Sequence, residues 1–387
     1  MWFLSAVSEN ESTDAAVEDV INAARTSGVK ADVLFVFFTA HHRDEADSVA
    51  EKLWLQLDPQ VAVGCSGEGI IGGEKEIERV PGLSILIGQT PGVRLHPFHI
   101  GADDWRPMLR DPEQFIERAG HGPETRAFIG FGDPFTTPMN QFLQLLDTAT
   151  PNSPLIGGMA SSARKPGENA LLRNDEILID GFVGVSLSGP IEIETVVSQG
   201  CRPIGKTFVI TKARENVIEQ LGGKPALVVV KEIIDELKPG DKELLSHGLL
   251  LGRVISEYRD SFGRGDFLVR NVMGVDQESG AIAVTDLVRP GQTVQFHVHD
   301  AATATEDLTH MLEPQGKREP AAGGLLFSCN GRGTHMFSQT CHDISHARKA
   351  MPQTPIAGFF ANGEIGPVAN QNFIHGHTAS FALFRPK

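Results

Sequence analysis

The chain has 387 residues, 41% apolar and 21% charged, a composition that suits a folded protein of about two ordinary domains and excludes a largely disordered one. Its formal charge of -15 argues against a nucleic-acid groove or an anionic membrane surface as partner, because phosphate binding is carried by Lys and Arg. The four cysteines form no CxxC pair, acidic Glu9 and Glu11 follow the apolar Trp2-Phe3-Leu4, and the longest apolar run (33–38) is far short of the roughly 20 residues that cross a bilayer, so a cytoplasmic protein without signal peptide is expected.

Residues 10–28 read as an amphipathic helix, with Ala15, Val17, Val20, Ile21 and Ala24 on one side and Gly28 as its stop signal. Next comes a unit that occurs three times: strand, helix, strand with a small-residue turn, strand. The first copy predicts strands over 33–38, 61–66 and 83–87 with a helix over 46–57. In the second the strands are 127–131, 154–160 and 183–187 and the helix 139–146; in the third, 325–328, 355–360 and 379–384 with a helix over 344–351. Leu34 to Glu68 spans 34 residues, Phe128 to Ser161 spans 33, and Leu326 to Glu364 spans 38. Repeated units bury their apolar faces against one another, so the pattern predicts an α/β (α+β) fold with one mixed-sheet core and converging turns.

Between the second and third copies, about 191–312, the spacing predicts a mostly antiparallel α+β insertion, with strands over 207–211, 267–272, 282–284 and 294–298 and helices over 216–221 and 225–237. A polar joint over 316–324 re-enters the repeat. The expected division is therefore 1–190, holding two copies, and 191–387, holding the insertion and the third copy from about 320.

Chemistry concentrates at the turns. The first reads Gly64-Cys65-Ser66-Gly67-Glu68-Gly69; the third copy carries Ser328-Cys329-Asn330-Gly331-Arg332-Gly333 and Phe360-Ala361-Asn362-Gly363-Glu364-Ile365-Gly366-Pro367. Together with Gly223-Lys224-Pro225-Ala226, Phe267-Leu268-Val269-Arg270-Asn271 and Asn372-Phe373-Ile374-His375-Gly376, these make the chain resemble the FIST family, N-terminal and C-terminal halves alike, over nearly its whole length. The resemblance implies a sensory module for a small polar metabolite, plausibly an amino acid, with a signalling protein as partner. With no kinase, cyclase or F-box in the sequence, it implies a stand-alone member.

Glu68 and Glu364 follow Gly67 and Gly363 in what read as corresponding places, with Ser161 in the second copy. A carboxylate beside a glycine turn can receive an ammonium while the turn's N–H groups bind a carboxylate; alternatively each Glu caps or pairs with a neighbouring copy. Arg332, between Gly331 and Gly333, is the first candidate for a ligand carboxylate, its alternative being an ion pair with Asp343 or Glu364. Arg270 is a second candidate, its alternative an exposed position on a strand. Cys65, Ser66, Cys329, Asn330 and Asn362 would line the pocket.

Two other readings stand beside a sensor. An enzyme on the same ligands would use Cys329 or Cys65 as nucleophile, with a base from His335, His342 or Asp343, or Glu364 as general base. An interaction scaffold would use the turns structurally. No cofactor and no metal are expected: His342 and His346 stand at i and i+4, but Asp343 and Ser345 look like the start of a helix that leaves His342 outside it. Gly67 to Gly72 is a literal GxGxxG, but the chain runs on to Pro81-Gly82 and another strand where a dinucleotide site needs a helix.

Overall fold

The computed structural model describes every residue except 29, 259–260, 264 and 369–370. The architecture is mixed α/β, and its contacts divide into two units: Met1–Ser198, Leu308–Ile374 and Thr378–Lys387 form the first, Gln199–Asp307 and His375–His377 the second.

In the first unit each copy lays down the same three strands. Val33–Thr39 pairs parallel with Val61–Gly67 and antiparallel with Leu83–Gln89. Thr125–Gly132 does so with Leu155–Met159 and Phe182–Ser188, and Gly323–Cys329 with Ile356–Ala361 and Thr378–Pro386. The crossover helices are Ala46–Leu57, Met139–Ala149 and His342–Ala350. Each copy also contains a β-hairpin before its last strand, and it gives that hairpin away. The first hairpin, Gly69–Gly72 with Lys75–Glu78, extends the third copy's sheet beside Ile356–Ala361. The second, Leu171–Arg173 with Glu176–Leu178, extends the first copy's sheet, and the third, Glu364–Val368 with Gln371–His375, the second copy's. One more strand beside each last strand completes three six-stranded sheets of identical order.

Alternation along the strands sorts side chains between two environments. Val33, Phe35 and Phe37 enter a central cluster with Ile129, Phe131, Leu325, Phe327 and Phe359, while Leu34, Val36 and Phe38 pack outward under the first copy's helices. In that centre Phe37 lies 5.3 Å from both Phe131 and Phe359, ring centre to ring centre. Both faces are covered, which explains the unbroken apolar runs that made these strands legible.

The parallel pairs approach so closely that a side chain is excluded at one register. A Cβ on Gly64, Gly157 or Gly358 would lie 1.9, 1.8 or 1.8 Å from the carbonyl oxygens of Val36, Gly130 and Leu326, their strand partners. These three glycines therefore mark equivalent positions of the copies.

The second unit is a separate antiparallel sheet. Its order runs Cys201–Arg214, Thr293–His299, Leu249–Val254, Phe267–Val275, Ile282–Val284, Val217–Leu221, Lys224–Pro225, and Cys201–Arg214 pairs with both Thr293–His299 and Val217–Leu221, closing the ring. Helix Ala226–Glu236 buries Ala226, Val229, Val230 and Ile233 against Ile204, Ile210, Leu251 and Phe296. The helix expected over 216–221 is instead strand Val217–Leu221. Five residues starting with two β-branched ones, followed by Gly222 and Gly223 both at positive φ, make a hairpin arm.

Candidate functional site

The three turns meet, and Ser161 joins them. Its hydroxyl accepts the Glu68 backbone N–H at 2.8 Å and donates to the carbonyl of Phe360, tying first, second and third copies in one chain of bonds. The Ser161 N–H reaches the Ser66 carbonyl at 3.2 Å, Ser162 donates to the Ser66 hydroxyl at 2.7 Å, and the Met159 N–H donates to the Gly363 carbonyl at 2.9 Å.

Strand register corrects the equivalence expected between Glu68 and Glu364. Counting from Gly64, Gly157 and Gly358, the matching residues are Glu68, Ser161 and Asn362. Glu364 lies opposite Gly158, as Leu171 lies opposite Cys65 and Ile70 opposite Phe359, so its counterparts are Ile70 and Leu171. Both of those belong to the central cluster, while the next residues, Ile71, Leu172 and Ile365, belong to the outer ones. Alternation thus directs Glu364 inward: the third copy places an acid where the others place Ile and Leu.

Glu364 is fully buried. Its Oε2 accepts the Thr378 hydroxyl at 2.7 Å and the Thr378 N–H at 3.1 Å, but Oε1 has no donor among the described residues. Burial pushes its carboxyl up to about 8, against the pull of Thr378, the Cys329 thiol and the Arg332 charge.

Arg332, also fully buried, does not present its fork to a ligand: Nε and Nη2 donate to the two oxygens of Asp343 at 2.8 and 2.7 Å. Asp343 further accepts Ser328 Oγ at 2.7 Å and His342 Nδ1 at 2.8 Å, and the Arg332 charge holds it below the usual carboxylate range despite burial. The Arg332 guanidinium lies 5.2 Å from the ring centre of Phe337, on which His342 stacks at 3.4 Å. Glu76, absent from the sequence-based candidates, joins this group from the borrowed first hairpin. Its Oε1 accepts the Ile344 N–H at 2.7 Å, its Oε2 is buried without a donor among the described residues, and burial with the Asp343 charge pushes it up to about 8.

The FIST N domain matches residues 32–224 and the FIST C domain residues 226–367. The chain belongs to the FIST family. Domains of this family are associated with small-ligand sensing in signal transduction. Among its relatives, the uncharacterized protein Rv0628c of Mycobacterium tuberculosis is 38% identical over 345 residues, covering 89% of this chain and 88% of that one. The uncharacterized protein Mb0898c of Mycobacterium bovis is 38% identical over 355 residues with the same coverage. A crystal structure of cyanuric acid hydrolase from A. caulinodans aligns with 100% of this chain and 99% of its own at 9% identity and a TM-score of 0.37, too loose a likeness to carry fold or function.

The other candidates of this FIST chain fall into place around that centre. Cys65 is buried and its thiol is pushed well up by desolvation, the opposite of what a nucleophile needs. Cys329 is buried, with its sulfur 3.9 Å from Asn330 Oδ1, and the Asn330 N–H donates to the Ala361 carbonyl. Glu68 is half-buried, 3.9 Å from His335 Nε2. A Cβ on Gly333, which has φ +54°, would lie 2.6 Å from Glu78, whose carboxylate also holds the N–H and hydroxyl of Thr334; this glycine has a structural reason. Gly363, at φ +115°, packs where a Cβ would lie 2.8 Å from Ile374, and Asn362 is exposed. Gly67 and Gly331 flank the same turns, and Gly69–Gly72 is a strand, with no helix to serve the GxGxxG.

Arg270 lies in the second unit and does not face solvent. It pairs with Asp286 at 3.4 Å, a carboxylate that Arg253 also holds at 3.1 Å. His342 is the first residue of its helix, contrary to the expectation, because Cys341 in a left-handed turn and the Glu76 carboxyl start the helix there. Its neighbour His346 meets Thr309 Oγ1 at 3.1 Å. Elsewhere in the first unit, a cavity of about 440 Å³ lies among Asp147, Asn152, Ser153, Thr195, Gln371 and Asn372; Asn372 there donates to Asp147 and accepts the Leu155 N–H.

Proposed function

We propose that this chain is a sensory module that binds a small polar metabolite carrying an amine, an amino acid or a related carboxylate, where its three turns meet, and that a signalling partner reads the bound state. The observation that carries this reading is Glu364, a buried carboxyl with one undonated oxygen at a position that the same fold twice fills with an aliphatic side chain. Stability alone does not account for an acid there, because burying an incompletely bonded polar group costs about 1–3 kcal/mol where Ile or Leu would gain from burial. In this reading Glu364, or the half-buried Glu68, receives the ammonium. Backbone N–H groups of the turns, with Ser66, Cys329, Asn330 and Asn362, frame the remainder. Arg332, clasped by Asp343, contributes its field rather than its fork. The charge balance and the sparse cysteines suit the cytoplasm.

A thermal-shift screen of the twenty protein amino acids tests it. A true ligand at a hundred times its Kd stabilises the chain by about 2.7 kcal/mol, and Glu364→Gln sharply reduces the shift. Conversion of the added compound would favour the enzyme reading, and the absence of any shift would refute the sensor.

A further inference from the structure

We propose that the Glu364 site loads its ligand by exchanging a proton for an ammonium: Glu364 stands as a neutral acid in the unliganded chain, and the incoming amine expels its proton. The inference rests on the reading above and adds the ligand's charge and the linked ion.

The argument starts from what faces Glu364. The strands packed against its own are its hairpin partner Gln371–His375, Leu155–Met159, Thr378–Pro386 and Gly323–Cys329. The hairpin partner ends at the buried His375; Leu155–Met159 carries no titratable group; Thr378–Pro386 offers the two donors of Thr378 and, at its far end, Arg385, which is paired with Glu194; Gly323–Cys329 ends at Cys329, whose thiol, like Thr378, pulls toward the ionised form. Beyond it comes Arg332, whose charge reaches Glu364 but is answered by the two-point clasp of Asp343. An ionised Glu364 would therefore hold a buried negative charge with, among the described residues, one oxygen undonated and no ion pair, an arrangement buried carboxyls avoid by keeping the proton. The direction of its titration, up to about 8 through burial, agrees.

A ligand ammonium changes both terms at once. It brings N–H donors to the undonated oxygen and a positive charge to the carboxylate. The balance is that the neutral acid and the ammonium become a carboxylate–ammonium pair, and one proton goes to the buffer. A ligand lacking the amine has nothing to offer this oxygen in its ionised form.

The test uses the full chain and two probe sets, the twenty protein amino acids and the corresponding carboxylic acids without the amine. Compounds that stabilise the protein are taken to titration calorimetry at pH 6, 7 and 8 in two buffers of different ionisation heat. The expected result is affinity rising about tenfold per pH unit between pH 6 and 7, levelling toward pH 8, with close to one proton released per ligand at pH 6 and 7 and about half a proton at pH 8, and no binding by the deaminated set. Glu364→Gln should bind weakly and with equal affinity at all three values. Infrared difference spectra between wild type and Glu364→Gln at pH 6 should show the carbonyl band of a protonated acid without any ligand present. Equal affinity at pH 6 and 8, or proton uptake, would overturn the inference while leaving the sensor reading intact; equal binding by the deaminated compounds would overturn it together with the amine that the reading assigns to the ligand. Binding by no compound at all would overturn both.

Discussion

Replacing Glu364 by Gln should make the protein more stable at alkaline pH, with a pH profile that identifies the residue. The unfolded chain titrates this carboxyl near its ordinary value of 4.5, the folded chain at about 8. Between those values the folded state holds a proton that the unfolded state has lost, so stability falls as pH rises, by about 1.4 kcal/mol per unit for one group, and levels off above pH 8. Accumulated over the interval the loss is on the order of 5 kcal/mol, a large share of the 5–15 kcal/mol typical of a domain. Gln keeps an oxygen for Thr378 and cannot ionise, so at pH 5 the two proteins should differ by about 1 kcal/mol or less. By pH 8 the variant should lead by several kcal/mol. Urea unfolding of both proteins at half-unit steps from pH 5 to 9, with equal m-values, is the assay. Parallel profiles would refute the reasoning, because they would mean that Glu364 is ionised in the folded chain throughout.

Breaking the buried pair by Asp343→Asn or Arg332→Leu should cost about 3–5 kcal/mol in urea unfolding, since each strands a partner that is at most 1% exposed; a loss under about 1 kcal/mol would show the pair to be solvated. Gly358→Ala should destabilise by about 3 kcal/mol or more, because its clash at 1.8 Å is with backbone; a melting temperature equal to wild type would show that the strands can part. Ser161→Ala removes the bond that joins Glu68 to Phe360 and should cost about 1–3 kcal/mol and weaken any ligand shift; an unchanged shift would separate the junction from the site. A fragment of residues 1–190 leaves its first hairpin without a sheet and its second sheet without a borrowed hairpin, so its thermal unfolding should lack a cooperative transition in calorimetry.

The strands and crossover helices were legible because alternation and apolar runs are local: the helix over 46–57 is Ala46–Leu57 to the residue, and the strand over 282–284 is Ile282–Val284. The hairpin exchange was not, because which sheet a hairpin joins is decided by pairing across more than a hundred residues, and nothing in Lys75–Glu78 names Ile356–Ala361 as its destination. Glu76 was missed for the same reason, since a short Lys-Glu-Ile-Glu run looks like a solvated turn until the hairpin is carried to the helix at Ile344. Glu364 stands out in the sequence, but its neighbours there liken it to the wrong residue. The Gly-Glu dipeptides at 67–68 and 363–364 look alike, whereas the register is fixed by Gly64 and Gly358, where strands touch through backbone atoms. Arg332 stood with its ion pair to Asp343 as an open alternative, and the geometry takes that alternative.

Hairpin exchange also explains why the turns meet. In every copy the chain leaves its own sheet at the end of the second strand and enters another copy's sheet at the start of the hairpin, so the intervening turn must lie where two sheets adjoin. Three such passages, closed in a cycle, bring three turns together whatever residues they carry. Topology thus supplies the junction, and side chains decide what it does: Ile70 and Leu171 make two of the hairpin starts apolar, and Glu364 makes the third acidic. A junction built three times alike but given its buried acid only once is unequal on its three sides. Under the proposed function, that inequality would give a small ligand a single orientation, with its amine toward the third copy.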